Sequence, residues 1–401
     1  MRFPASFLLS SSLSLLVQQS AARPSRCAAT QQVAKSIYFL SNEDANSVIA
    51  VPIGMDGKLF GGTSTATGGK GSLSIDGSTN QTAATDGLVS QSSLTVAGHK
   101  LFAVNAGSNS VTMFSIDRTD ASKLQMVGQP VAVPGEFPNT VAASKKHKIV
   151  CVGTTGAVAG VSCSSFSGLG GIEAMDALRP IDLQQTTPPV GPTNTISQVL
   201  FSEDENTLFV MVKGDPAVNN TGFVASFPVE NGQNGACVSQ QSTQSSPEGT
   251  AVLFGSAPIP GTSDIFATDA SFGAAVLSFD SSGAATVKGK AAIDGQKATC
   301  WAAVSSVTNS AFVTDVATNR LVEMSLQDAS IMNIIDLSAN GDPGLIDLKA
   351  AGQFVYALSP GTGATVPAVT VVDAPSKKQV QHFELQALGA SNRAQGMAIL
   401  L

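Results

Sequence analysis

The sequence predicts an all-β fold, a seven-bladed β-propeller closed by its C-terminal strand pairing with the N-terminal blade. Three observations predict it. Seven short apolar segments, beginning at Ile37, Leu101, Ile149, Leu208, Ile265, Ala311 and Val355, recur at roughly fifty-residue intervals, a period that marks a stacked or radial array of one supersecondary unit. Polar turns rich in Asp, Asn and Gly separate β-branched runs, as in hairpins. Only 13% of residues are charged and Ser, Thr, Gly, Ala and Val dominate, which favours strands and tight turns. No long i, i+3, i+4 apolar stripe argues for helix.

The units follow in order. The first begins at Ile37 with IYFLSN and has no inner strand upstream of it. The second places strands at 94–96, 101–105 and 111–117, and the third begins its second strand with IVCVG at Ile149. In the fourth, 197–202 is a strand, 203–206 a polar turn, 208–212 a second strand, 214–220 a loop and 223–228 a third strand. The fifth has 266–269 and 275–280. The sixth has 301–305, 311–315 and 320–326, and the seventh begins at Val355. The final residues, 394–401, read AQGMAILL: an inner-strand pattern with no outer strands after it. They supply the strand the first unit lacks, and closing the ring removes exposed sheet edges. A closed propeller is one domain, 35–401.

Two insertions interrupt the repeat. The first, 61–87, is rich in Gly, Ser, Thr and Asn and reads as a mobile surface loop. The second, 166–192, carries Gly-rich and Pro-Pro stretches. Two long loops on one ring commonly build a rim over the central channel. Ahead of the repeat, Arg2, an apolar stretch at 7–17 and the small residues Ser20, Ala21 and Ala22 outline a secretory signal peptide, 1–22, followed by a segment at 23–34. No later segment reaches transmembrane length. Secretion permits disulfides. Cys27 lies near the cleavage point and is expected to be unpaired. Cys151 and Cys163 fall on consecutive strands of one unit, so the expected pairs are Cys151–Cys163 and Cys237–Cys300, with buried free thiols as the alternative. The sequons at Asn80 and Asn219 lie in polar loops and are candidate glycosylation sites.

The net charge is −7, and the densest basic cluster, Lys145, Lys146, His147 and Lys148, reads as a solvated hairpin turn. Phosphate binding needs a concentrated basic surface, so nucleic acid is not an expected partner. His99, His147 and His382 are scattered among turns and an outer strand, which predicts no metal site. Nothing in the sequence calls for an organic cofactor.

The runs SQVLFSEDENTLFVMVKGDP, IFATDASFGAAVLSF, KATCWAAVSSVTNSAFVTDVATNRLVEM and GVSCSSFS resemble a secreted fungal family. It is labelled 3-carboxymuconate cyclase-like and includes cell-wall glycoprotein antigens. The likeness spans about 35–401. That family is similar in turn to the seven-bladed lactonases, among them 6-phosphogluconolactonase and the carboxymuconate lactonising enzyme. The resemblance implies the propeller and a central pocket in which a lactone ring is opened or closed. In the wider lactonase family the fourth unit resembles P-R-H-x-x-F-S-P-D-G followed by Y-V-x-N-E, with Arg, His and Glu converging on a carboxylated substrate. Here the Arg position holds Ser197, the His position Gln198 and the Glu position Lys213, and Asn139-Thr140 follows Pro138 in the third unit.

The strand ends that face a channel are the remaining places for chemistry. Lys213, Asp269 and Asp315 are the catalytic candidates. Lys213 is suited to neutralise an anionic ligand. Asp269 and Asp315 occupy equivalent positions in adjacent units, so they either pair as acid and base or close loops by accepting backbone N–H groups. Asn105, Asn139, Gln198, Trp301, Asp347 and Gln395 are candidate binding residues, with Trp301 as a channel wall. Two functions are expected. One is a lactonase or cycloisomerase-like enzyme acting on a small carboxylated lactone or muconate. The other is a non-catalytic extracellular or cell-wall glycoprotein that binds a partner through the propeller rim. A monomer is expected in either case.

Overall fold

Each of the seven apolar runs forms the second strand of a blade. In chain order these strands are Ser36–Leu40, Lys100–Asn105, Ile149–Thr154, Thr207–Val212, Ile265–Asp269, Ser310–Asp315 and Phe354–Ser359. The computed structural model describes residues 1, 35–83, 85–232 and 235–401. The expected signal peptide (Met1 aside), the segment 23–34 and Cys27 lie outside the described residues. The runs are continuously apolar because both faces of each inner sheet are covered by neighbouring blades. Ser36–Leu40 and Ile149–Thr154 are buried at every position, the pattern of a strand packed on both sides. Outer strands behave differently. Ala285–Ala292 alternates between covered and exposed positions because one of its faces meets solvent.

The inner strands are Gln395–Leu400, Leu94–Ala97, Pro138–Ser144, Ile196–Phe201, Leu253–Pro258, Thr299–Ser305 and Ile346–Ala351, for blades 1 to 7. Each touches the next, and the seventh touches the first, so the ring is closed. Closure runs through the two ends of the repeat: Ser36 pairs with Leu400, Ile37 with Ile399 and Tyr38 with Ala398, antiparallel. Lys35 N–H donates to Leu400 O at 2.8 Å. Aromatic contacts knit adjacent blades, Phe102 on Phe166 at 4.8 Å, Phe209 on Phe279 at 4.4 Å and Phe254 on Trp301 at 5.0 Å between ring centroids.

Cys151 and Cys163 stand directly opposite one another on adjacent strands and form a disulfide. The expected Cys237–Cys300 bond is not made. Cys237 is exposed on the outer strand Gly235–Val238 of blade 4, whereas Cys300 is buried on the inner strand of blade 6. The inner and outer positions of different blades keep the two apart.

The first insertion is not a loose loop. Thr63–Ala66 is the outer strand of blade 1, and Ile75–Asp76 and Gln81–Thr82 form a hairpin. Val190–Gly191, from the second insertion, joins that hairpin in parallel through Ile75 and Asp76. The two insertions thus build one small sheet as a rim. Among the described residues no helix is long and apolar enough to cross a membrane.

Candidate functional site

The propeller axis is filled by the chain itself. After the rim hairpin, residues 88–93 cross the channel and bond to inner strands around the ring. Leu88 O accepts from Asn139 Nδ2 at 3.2 Å, and Ser90 Oγ donates to Asn139 O at 2.7 Å. Trp301 Nε1 donates to Ser90 O at 3.1 Å. Gln91 N–H donates to Ser197 O at 2.9 Å, and Gln91 O accepts from Thr140 Oγ1 at 2.8 Å. The Gln91 side chain imitates a strand residue: its Nε2 donates to Ala302 O at 2.8 Å and its Oε1 accepts from Ala302 N–H at 3.1 Å. Ser92 Oγ accepts from Gln198 Nε2 at 3.3 Å, and Ser92 N–H points at Asp347 Oδ2 at 3.5 Å. Four expected binding residues, Asn139, Gln198, Trp301 and Asp347, therefore do lie at the axis, and their polar groups hold this strap. Gln198 also grips Ser256, its Oε1 accepting the Ser256 N–H at 2.6 Å.

Above the strap, on the face where second strands end and inner strands begin, lies a cavity of about 220 Å³. Its wall is largely apolar, with Ile75, Val89, Val252, Phe254, Ala298 and Val316, and its polar members include Ser74, Asp86, Lys213 and Cys300. Lys213 is 1% exposed. Its Nζ donates to Val89 O at 2.6 Å and lies 4.2 Å from the centre of the Phe254 ring. Among the described residues no carboxylate comes within ion-pair distance of it. Burial pushes Lys213 down to about 8 against the attraction of Asp86, because desolvation disfavours the charged form. Asp86 is pushed up to about 7 by burial, opposed by the charge of Lys213 and by Gln395, whose Nε2 donates to Asp86 Oδ1 at 3.1 Å. Burial also raises the Cys300 thiol. Ser74 Oγ, buried in the same wall, has no partner among the described residues.

Of the three catalytic candidates, only Lys213 faces this cavity. Asp269 accepts the N–H groups of Ala251, Val252 and Ser271, at 2.7, 3.1 and 2.9 Å. Asp315 accepts those of Lys297, Ala298 and Ala317, at 2.7, 3.1 and 2.9 Å. Both carboxylates are spent on closing loops between blades, which is the second of the two alternatives the sequence left open and not an acid and base pair. Asn105 is also relocated. It lies between blades 1 and 2, accepting from Asn46 Nδ2 and Thr67 Oγ1 and donating to Ser110 Oγ and Thr112 Oγ1. That set uses its whole bonding capacity. Gln395 meets the site only through Asp86. Asp86 and Cys300 are the cavity residues that sequence reasoning missed. Asp86 was hidden in an insertion read as a loop, and the one available signal for Cys300 was its adjacency to Trp301.

His99 sits in a turn, His147 bonds Asn206 Oδ1 at 3.3 Å, and His382 lies 3.1 Å from both Asp342 oxygens on an outer strand. None reaches the cavity. Among the described residues no three His, Cys, Asp or Glu side chains cluster as a metal site. Asn80 is exposed at the tip of the rim hairpin, and Asn219 is exposed after a short 3-10 turn.

No family model matches the chain, and no curated protein matches it. Solved structures do. The periplasmic gluconolactonase PpgL of Pseudomonas aeruginosa is similar with a TM-score of 0.62 at 14% identity, over 91% of this chain and 99% of that one. A putative 6-phosphogluconolactonase from Bacteroides uniformis is similar with a TM-score of 0.53 at 13% identity, over 70% and 80%. The dihydro-heme d1 dehydrogenase NirN is similar with a TM-score of 0.51 at 13% identity, over 94% and 77%. At such identities the likeness is one of fold: this chain has the propeller architecture of lactonase structures.

Proposed function

We propose that this chain is a lactonase-like propeller that binds a small carboxylated lactone or muconate in the rim cavity, with Lys213 as its anchor. The observation that carries the reading is a fully buried lysine, unpaired with any carboxylate among the described residues, in the wall of a cavity large enough for such a molecule. Its two remaining N–H donors are free to meet an anion. The unpartnered Ser74 hydroxyl supplies a further donor, and Asp86 supplies a proton-exchanging group near neutrality. The similarity of the sequence to the secreted fungal 3-carboxymuconate cyclase-like family supports the same ligand class. The disulfide, and the signal peptide expected at 1–22, fit an oxidising, extracytoplasmic setting.

A second reading, a non-catalytic cell-wall glycoprotein, is favoured by one specific observation. The axial strap occupies the channel to which the lactonase likeness assigns its Arg, His and Glu, and Gln198 is committed to Ser256 of the next inner strand and to Ser92 of the strap. Titration calorimetry and activity assays with 3-carboxymuconate and its carboxylated lactone test the choice. The primary reading expects saturable binding that Lys213→Met weakens by at least ~10-fold, since a hydrogen bond to a charged group contributes about 1.5–3 kcal/mol. Binding without turnover supports the glycoprotein reading with a ligand. Absence of binding to the folded wild type refutes the cavity as the site for this ligand class.

A further inference from the structure

We propose that Lys213 is also a carbonyl-trapping amine, condensing with a small uncharged aldehyde or ketone in the rim cavity to form an imine. This goes beyond the lactone reading: it shares the cavity but not the ligand.

Lys213 directly follows the second strand of blade 4, at the strand end where blades 5 and 6 carry Asp269 and Asp315. Those aspartates accept loop N–H groups, which an ammonium cannot do, so Lys213 takes no part in that device. Among the described residues its one hydrogen bond is to Val89 O, and no carboxylate lies at ion-pair distance from it. A lysine desolvated in this way carries an appreciable neutral fraction near pH 8, the form that attacks carbonyl carbon. The wall around it is mostly hydrocarbon, and Lys213 is its sole Lys or Arg. Once the amine is consumed the cavity offers no second cation, which selects an uncharged carbonyl compound. The Phe254 face at 4.2 Å stabilises the cationic imine that results.

The step balances without an oxidant or reductant. The neutral Nζ lone pair forms a C–N bond to the carbonyl carbon, and a proton passes from nitrogen to oxygen to give a carbinolamine. The C–O bond then breaks. The hydroxyl leaves as water with a proton from the Asp86 carboxyl, and the nitrogen lone pair forms C=N. The products are a protonated imine, one water and the Asp86 carboxylate. Asp86 and Cys300 line the cavity with Lys213, and Asp347 and Gln395 stand behind Asp86.

The test is reductive trapping. The folded chain is incubated with benzaldehyde and sodium cyanoborohydride near neutral pH, and the product is read by intact mass and peptide mapping. One benzyl group per chain is expected, on Lys213. It should form at least ~10-fold faster than on any exposed lysine, since burial gives Lys213 a far larger neutral fraction than a hydrated ammonium carries. Asp86→Asn should slow trapping, and Lys213→Met, checked for folding by thermal melt, should abolish the fast adduct. If Lys213→Met does not fold, the wild-type peptide map decides alone. No adduct, or adducts spread over exposed lysines with Lys213 unmodified, overturns the proposal.

Discussion

Gln91→Ala is the sharpest test of the axial strap. Gln91 is 1% exposed, and its amide closes two hydrogen bonds with Ala302, one donated at 2.8 Å and one accepted at 3.1 Å. Alanine leaves the Ala302 N–H and C=O without those partners at a dry point of the inner ring. Each orphaned buried group costs about 1–3 kcal/mol, so the pair costs roughly 2–6 kcal/mol. Loss of packing from the deleted amide and methylene adds on the order of 1 kcal/mol. Water entering the vacated space recovers part of this, which gives an expected loss of about 3 kcal/mol. Urea denaturation of wild type and variant, compared at a common slope, measures it. A loss under about 1 kcal/mol with unchanged slope would refute the claim that the strap is an integral part of the inner ring. Trp301→Phe, which deletes the bond to Ser90 O and part of a fully buried ring packed on Phe254, should cost about 2 kcal/mol.

Removing residues 394–401 takes away the inner strand Gln395–Leu400, and the product should be recovered unfolded or aggregated; a truncated chain with native circular dichroism and a cooperative melt would contradict the closure. A thiol reagent should label Cys237 in the native protein and Cys300 only after unfolding, given their exposures. Cys151→Ala with Cys163→Ala should lower stability by about 3 kcal/mol, the loop-closure entropy of a short loop. The pH dependence has a definite sign. Asp86 holds its proton more tightly folded than unfolded, so between its ordinary value of 3.8 and about 7 the folded state binds more protons. Its contribution therefore falls as pH rises through that window. Asp86→Asn should flatten this decline in urea melts taken from pH 4 to 7, and an equally steep decline in the variant would show that another group carries it.

The blades were legible because their signal is local. A strand buried on both faces must be apolar throughout, so IYFL, IVCV and LFVMV announce themselves, and AQGMAILL at the end had no role other than closing the ring. The strap was not legible. Residues 88–93 read Leu-Val-Ser-Gln-Ser-Ser, too polar and too short for a strand, and Gln91 meets Ala302 across 211 residues of sequence. Nothing in composition or period carries information of that range. The aspartates were left open for a related reason: the repeat aligned Asp269 with Asp315, but alignment cannot say whether a carboxylate faces a cavity or the N–H groups of its own loop. Lys213 was placed by the repeat alignment, which put it at a strand end facing the axis, and the structure puts it in the cavity wall.

The strap and the cavity are one mechanical unit. Asp86, Val89 and Ser92 all have positive φ, at 50°, 48° and 65°, a region that costs a non-glycine residue about 1–3 kcal/mol and that a β-branched valine enters only under constraint. The constraint is visible on both sides of Val89. Leu88 O and Ser90 O are held by Asn139 and Trp301, which turns Val89 O toward Lys213 Nζ. The position of the cavity's one cation is thus set by hydrogen bonds at the propeller axis. It follows that Trp301→Phe, which acts on the site through the bond to Ser90 O and through the packing of Trp301 on Phe254, should change the rate of reductive trapping at Lys213. A variant on the exposed face of an outer strand, such as Thr286→Ala, should not. Equal trapping rates in Trp301→Phe and wild type would mean that Val89 keeps its conformation without the axial bond, and the strap would then be a filler of the channel and no support for the site.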